Sequence, residues 1–167
     1  MRTLSVCVAL SFAAALAAGG TSEMPKGGTT SKPTTTQAAP PEMKDGLMTL
    51  EVETFTLEDA TVKDLQGATG GKAVLFDKET SSAKTTVTLK KGNYEVTVFV
   101  QGVDPDHDAF FLSVAGEESR LFPAEYGKVV AADPVKVEVK QDGAVAIALA
   151  AAETGLYLDK VVVKAVK

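Results

Sequence analysis

The sequence predicts an all-β protein whose folded part is a β-sandwich, and three observations lead there. Short alternating or apolar runs recur, separated by Gly, Asp, Lys and Pro. No long stretch carries the 3.6-residue period of an amphipathic helix, so the strands have no crossover helices between them. The first and last runs are both strand-like and able to pair, which favours a sandwich over other all-β solutions.

The elements follow in order. "MRTLSVCVALSFAAALAAGG" holds Arg2, an apolar run over residues 4–16 and an A-x-A site at Ala15-Leu16-Ala17. This is the grammar of a secretory signal peptide, expected over residues 1–17, and the run is too short to span about 30 Å of hydrocarbon. Val6 ahead of Cys7, where a small residue is wanted, argues against lipid attachment. Cys7 is the only cysteine, so the mature chain should lack disulfides, thiol nucleophiles and thiolate metal sites. Loss of Arg2 takes the formal net charge from −5 to −6. An acidic chain without a basic patch excludes nucleic acid as the expected partner, and no membrane insertion is expected after signal cleavage. The expected location is secreted, periplasmic or cell-surface.

Residues 18–46 are rich in Thr, Pro, Ser, Gly and Ala, with two isolated methionines as their only large apolar side chains. Such a segment cannot bury enough surface to offset its ordering entropy, so a disordered linker is expected. Residues 47–167 suffice for one core. There "MTLEVETFTL" opens the domain and "KAVLFD" follows the Gly-rich "QGATGGK". "SAKTTVTLKKGNYEVTVFVQG" reads as a hairpin turning at "KKGN". "AFFLSVAG", "DPVKVEVKQDGAVAIALA" and "GLYLDKVVVKAV" supply further strands, with "QDG" as a tight turn.

In the last strand, period two puts Tyr157, Asp159, Val161, Val163 and Ala165 on one face and Leu158, Lys160, Val162 and Lys164 on the wetter other face. Asp159 then heads the inward row. A carboxylate there costs several kcal/mol, in order of magnitude, unless paired, hydrogen-bonded or bound to a metal. Glu51 and Glu53, two apart on a strand, share a face about 7 Å apart and repel unless a cation or basic group lies between. Hard oxygen donors without imidazole or thiolate suit Ca²⁺. The alternative is that Asp159 takes backbone hydrogen bonds and the glutamates are merely exposed.

The order of pieces resembles the family 6 and family 35 carbohydrate-binding modules. "LEVETF" is similar to their E-x-E opening and "VTLKKGNYEVTVFV" to their central Gly-turn, aromatic and alternating strand. "HDAFFLSVAG" resembles the strand that follows, and "VKVEVKQDGAVAIALAAAETGLYLDKVVV" their closing pair with its apolar-Asp-x-apolar strand. The resemblance implies a jelly-roll β-sandwich of two antiparallel sheets, with Glu51, Glu53 and Asp159 on a structural calcium. It also implies a non-catalytic module that binds a polysaccharide or glycan.

The chain departs from that family where ligand contacts are made. It has no Trp, and its single Asn, Asn93, falls in the "KKGN" turn. The aromatics at loop-like positions are Phe122 and Tyr126 in "SRLFPAEYGK", able to form a sugar platform or to cover the sandwich edge. In "DPDHD", Asp104, Asp106 and Asp108 alternate around His107. They read as a solvated turn, or as the start of a second cation loop that lacks the Gly and distal Glu of an EF-hand. One histidine makes neither a zinc site nor a catalytic triad by itself. No general-acid environment for a glycosidase is identifiable, so no enzyme is expected. The competing reading is a structural or protein-interaction sandwich, with extracellular proteins as partners, that has lost sugar binding.

Overall fold

The computed structural model describes residues 41 and 43–166. The expected signal peptide, and the linker as far as residue 40, lie outside the described residues.

Among the described residues, twelve strands form two antiparallel sheets. They are β1 (Leu47–Glu51), β2 (Thr56–Glu58), β3 (Thr61–Asp64), β4 (Lys72–Phe76), β5 (Ser82–Leu89) and β6 (Gly92–Gln101). β7 (Phe110–Val114), β8 (Glu117–Leu121), β9 (Val130–Ala131), β10 (Val135–Val139), β11 (Gly143–Ala151) and β12 (Leu156–Val166) complete the set. The larger sheet runs β10-β6-β12-β4-β3, with β1 also on β12 and β9 also on β6; the smaller runs β2-β5-β11-β7-β8. The two faces that meet are apolar. Val96, Val98 and Val100 of β6 and Leu158, Val161 and Val163 of β12 come from one sheet; Leu112 of β7 and Ile147 and Leu149 of β11 come from the other. This is the β-sandwich the alternating runs predict, and β1 pairs with β12 from Leu47↔Lys164 to Glu51↔Lys160.

Local pairing departs from the sequence reading. β5 and β6 are not a hairpin: β5 lies between β2 and β11, and β6 lies in the opposite sheet. "KKGN" is therefore an arch from sheet to sheet, and "QDG" between β10 and β11 is a second one. Alternation makes Val87 and Leu89 face Tyr94 and Val96 across the core, and it does so equally well without pairing them side by side. The arches are tied together where Lys91 N donates to Asp142 Oδ1 at 2.7 Å, and Tyr94 Oη closes the first by donating to the Lys90 carbonyl at 2.8 Å.

The "MTLEVETFTL" run is likewise broken. β1 stops at Glu51, a 3-10 turn covers Val52–Thr54, and β2 joins the other sheet. Just before β1, Lys44 and Leu47 exchange backbone hydrogen bonds, Ala165 N donates to the Gly46 carbonyl and Met43 packs on the core. The folded part thus takes in residues 43–46, slightly ahead of the boundary at 47 that composition suggests.

The strict period of β12 fails at one place. Leu158 pairs with Val100 and Lys160 with Phe99, so Asp159 is the extra residue of a β-bulge. Below the bulge Leu156 and Leu158 point inward; above it Val161 and Val163 do. Leu158, expected on the wetter face, is fully buried, and Tyr157 is only half-buried. The bulge sits where β12 changes partner along one edge, from β4 (Leu156–Leu158) to β1 (Lys160–Lys164).

Candidate functional site

The junction between β1, β4 and β12 gathers Glu51, Glu53 and Asp159. Asp159 is 1% exposed, because the bulge turns it into the gap between the ends of β1 and β4. The Gly-rich loop closes over it. A 3-10 turn at Thr69–Gly71, with Gly70 at φ +65°, aims Thr69 so that its N–H donates to Asp159 Oδ1 at 2.7 Å. The Thr69 hydroxyl donates to Asp159 Oδ2 at 3.1 Å. The loop therefore brings Asp159 the hydrogen bonds of the alternative reading, and Thr69 is a site residue that the sequence reading passed over.

The glutamates are not simply exposed. The 3-10 turn after Glu51 ends the straight strand on which the 7 Å spacing rests, and it folds both side chains inward. Glu51 Oε2 and Glu53 Oε2 are buried without a hydrogen-bond partner, an expensive state for a carboxylate oxygen. Burial raises the Glu51 carboxyl above its ordinary value; the neighbouring Glu53 and Asp159 charges raise it further, and Lys160 lowers it. Among the described residues no three His, Cys, Asp or Glu side chains converge tightly enough to hold a metal as they stand. The donor set itself fits Ca²⁺: hard oxygens, like-charged, with two of them orphaned and buried.

The expected sugar-contacting residues lie beyond the start of β12, among the loops that follow β6, β8 and β11. Phe122 is 49% and Tyr126 42% exposed. The Arg120 guanidinium covers one face of Phe122, 5.3 Å from the ring centre, and pairs with Glu153 at 2.8 Å. Tyr126 Oη donates to Asp108 Oδ2 at 2.7 Å. The Tyr126 ring lies against Gly102, where an added Cβ would stand 3.3 Å from the ring and 2.9 Å from Pro123. Tyr126 thus holds the loops together and presents an open edge at once.

"DPDHD" is not wholly a solvated turn. Asp104 and Asp106 fit that description, with Asp104 Oδ1 accepting from Asp106 N and from His107 Nδ1. That contact lowers the Asp104 pKa and raises that of His107. Asp108 is 5% exposed and turned inward to Tyr126. Its N–H and that of Ala109 both donate to Glu153 Oε2 at 3.0 Å, which holds the Glu153 carboxyl below its ordinary value. Glu153 and Arg120 were hidden from the sequence because their partners lie on distant loops, and the inward turn of Asp108 was hidden for the same reason.

No protein-family model and no curated protein matches the sequence. Solved structures do. A family 35 carbohydrate-binding module from Clostridium thermocellum superposes with TM-score 0.62 at 15% identity, over 72% of this chain and 98% of that one. A GH26-CBM35 β-(1,4)-mannanase from Podospora anserina gives 0.65 at 18%, over 74% of this chain. An exo-β-1,3-galactanase from Phanerochaete chrysosporium, crystallised with galactose, gives 0.59 at 23%, over 69% of this chain. The match spans only 28% of the length of each of these two enzymes. A likeness that fills a free-standing module and a minor part of two enzymes is one of fold: the chain is built as the family 35 carbohydrate-binding modules are.

Proposed function

We propose that this protein is an exported, non-catalytic carbohydrate-binding module that recognises a polysaccharide or glycan. One observation carries the reading: a module-sized sandwich presents two exposed aromatics, Phe122 and Tyr126, on loops braced by partly buried hydrogen bonds. Aromatic faces stack on the apolar faces of pyranose rings, and Asp108 holds the Tyr126 ring in place through its hydroxyl. Glu51, Glu53 and Asp159 would hold a structural Ca²⁺ at the strand junction. The bound ion would cancel the repulsion among the three carboxylates and give a partner to the buried oxygens of Glu51 and Glu53 that otherwise lack one. Export rests on the charged start, apolar run and A-x-A site; the mature chain should begin near Ala18, and N-terminal sequencing that finds Met1 on the native protein would overturn this.

Retention on a panel of immobilised polysaccharides, with and without Ca²⁺, tests the binding. At least one polysaccharide should retain the protein, and Phe122→Ala or Tyr126→Ala should weaken that binding by about 1–3 kcal/mol. Equal affinity in both variants places the contact elsewhere. Retention on none supports the structural or protein-interaction sandwich instead.

A further inference from the structure

Lys160 stands beside the Glu51–Glu53–Asp159 group and is held on three sides. Its Nζ donates to Thr69 Oγ1 at 2.8 Å, lies 3.9 Å from Asp159 Oδ2, and sits 4.7 Å from the centre of the Phe99 ring. Its backbone is paired with that of Glu51 across β1 and β12. The side chain is only 24% exposed, although lysine normally keeps its ammonium fully hydrated. The bulge explains how a residue of the outer face reaches this position, since it re-aims Lys160 over the Thr69 loop. A relay results, in which Lys160 donates to the Thr69 hydroxyl and that hydroxyl donates to Asp159.

The charges then count simply. Three ionised carboxylates and one ammonium leave two negative charges, which a divalent ion neutralises; without Lys160 three would remain. We infer that Lys160 is a built-in counter-ion that sets the residual charge of the junction and so tunes it to a divalent rather than a trivalent cation. This rests on the cation reading above and adds to it a residue that donates no ligand atom. Removing the lysine relieves repulsion of any incoming cation, and of a trivalent one more than a divalent one.

The test compares wild type with Lys160→Met, which keeps the stem and loses the charge, and Lys160→Gln, which also keeps a donor for Thr69. Each full chain is titrated with Ca²⁺ and with Tb³⁺ by calorimetry, and its melting temperature is followed alongside. Wild type should bind Ca²⁺. Both variants should bind it more tightly, by about tenfold, and Tb³⁺ by a larger factor still, the effect of one unit charge at this range in a partly screened site. Ca²⁺ affinity unchanged in both variants overturns the inference. So does a loss in Lys160→Met that Lys160→Gln restores, because the hydrogen bond to Thr69 would then be the whole role. Calcium binding to the variants but not to wild type would support Lys160 as counter-ion while overturning the calcium reading for the native protein. Binding to none of the three would remove the cation reading itself.

Discussion

Glu153 shows what a single side chain does at the loop end. One carboxylate oxygen receives two backbone N–H groups and the other receives Arg120. Its pKa is depressed in the folded state, chiefly by the N–H groups of Asp108 and Ala109. A depressed carboxylate contributes stability that is present above its unfolded pKa and lost as pH falls through the folded value. Melting temperature measured against pH should therefore fall below the ordinary glutamate value of 4.5. Glu153→Gln should lower the melting temperature at neutral pH and flatten that acid limb; an unchanged limb would mean that Glu153 is not its source. The sequence hinted at Asp159 because a carboxylate in an apolar run is conspicuous. It was silent on Glu153, Arg120 and Lys160, which look like ordinary surface charges until loops from distant positions reach them.

At the scale of elements, the runs with clear alternation are strands, and these include β5, β6, β7, β10 and β11. β3 and β8 escaped notice because all four residues of β3 are exposed and β8 buries only Leu121 among its five, so neither carries a two-residue apolar rhythm. The arches escaped for another reason. Period two states which side chains are buried and says nothing about which neighbour lies beside them. The bulge could not be read at all, since one extra residue leaves both halves of β12 looking regular. Loop packing is equally specific: Gly102 leaves no room for a methyl group between Pro123, Asp108 and Tyr126. Gly102→Ala should cost about 1–3 kcal/mol through overpacking and should weaken glycan binding by shifting the Phe122–Tyr126 loop. Denaturant unfolding beside a retention assay checks both, and a variant as stable as wild type would show that the loops yield easily.

For the molecule as a whole, the junction of β1, β4 and β12 ties the first strand to the last, so a cation there should stabilise everything at once. An ion that binds the folded state and hardly the unfolded chain contributes about 2.7 kcal/mol at a hundredfold excess over Kd. EDTA should lower the melting temperature, calcium should restore it, and Asp159→Asn should remove most of that response. A melting curve unmoved by EDTA would mean that Thr69 and Lys160 hold the junction unaided. The antiparallel pairing of Leu47 with Lys164 has one more consequence. Because the first and last strands enter and leave side by side, the sandwich has a root and a crown. Phe122, Tyr126 and the loops after β6 and β11 form the crown, a strand's length away. A segment joined to either end of residues 43–166 attaches at the root, so a module displayed through either end would keep its crown facing outward and free.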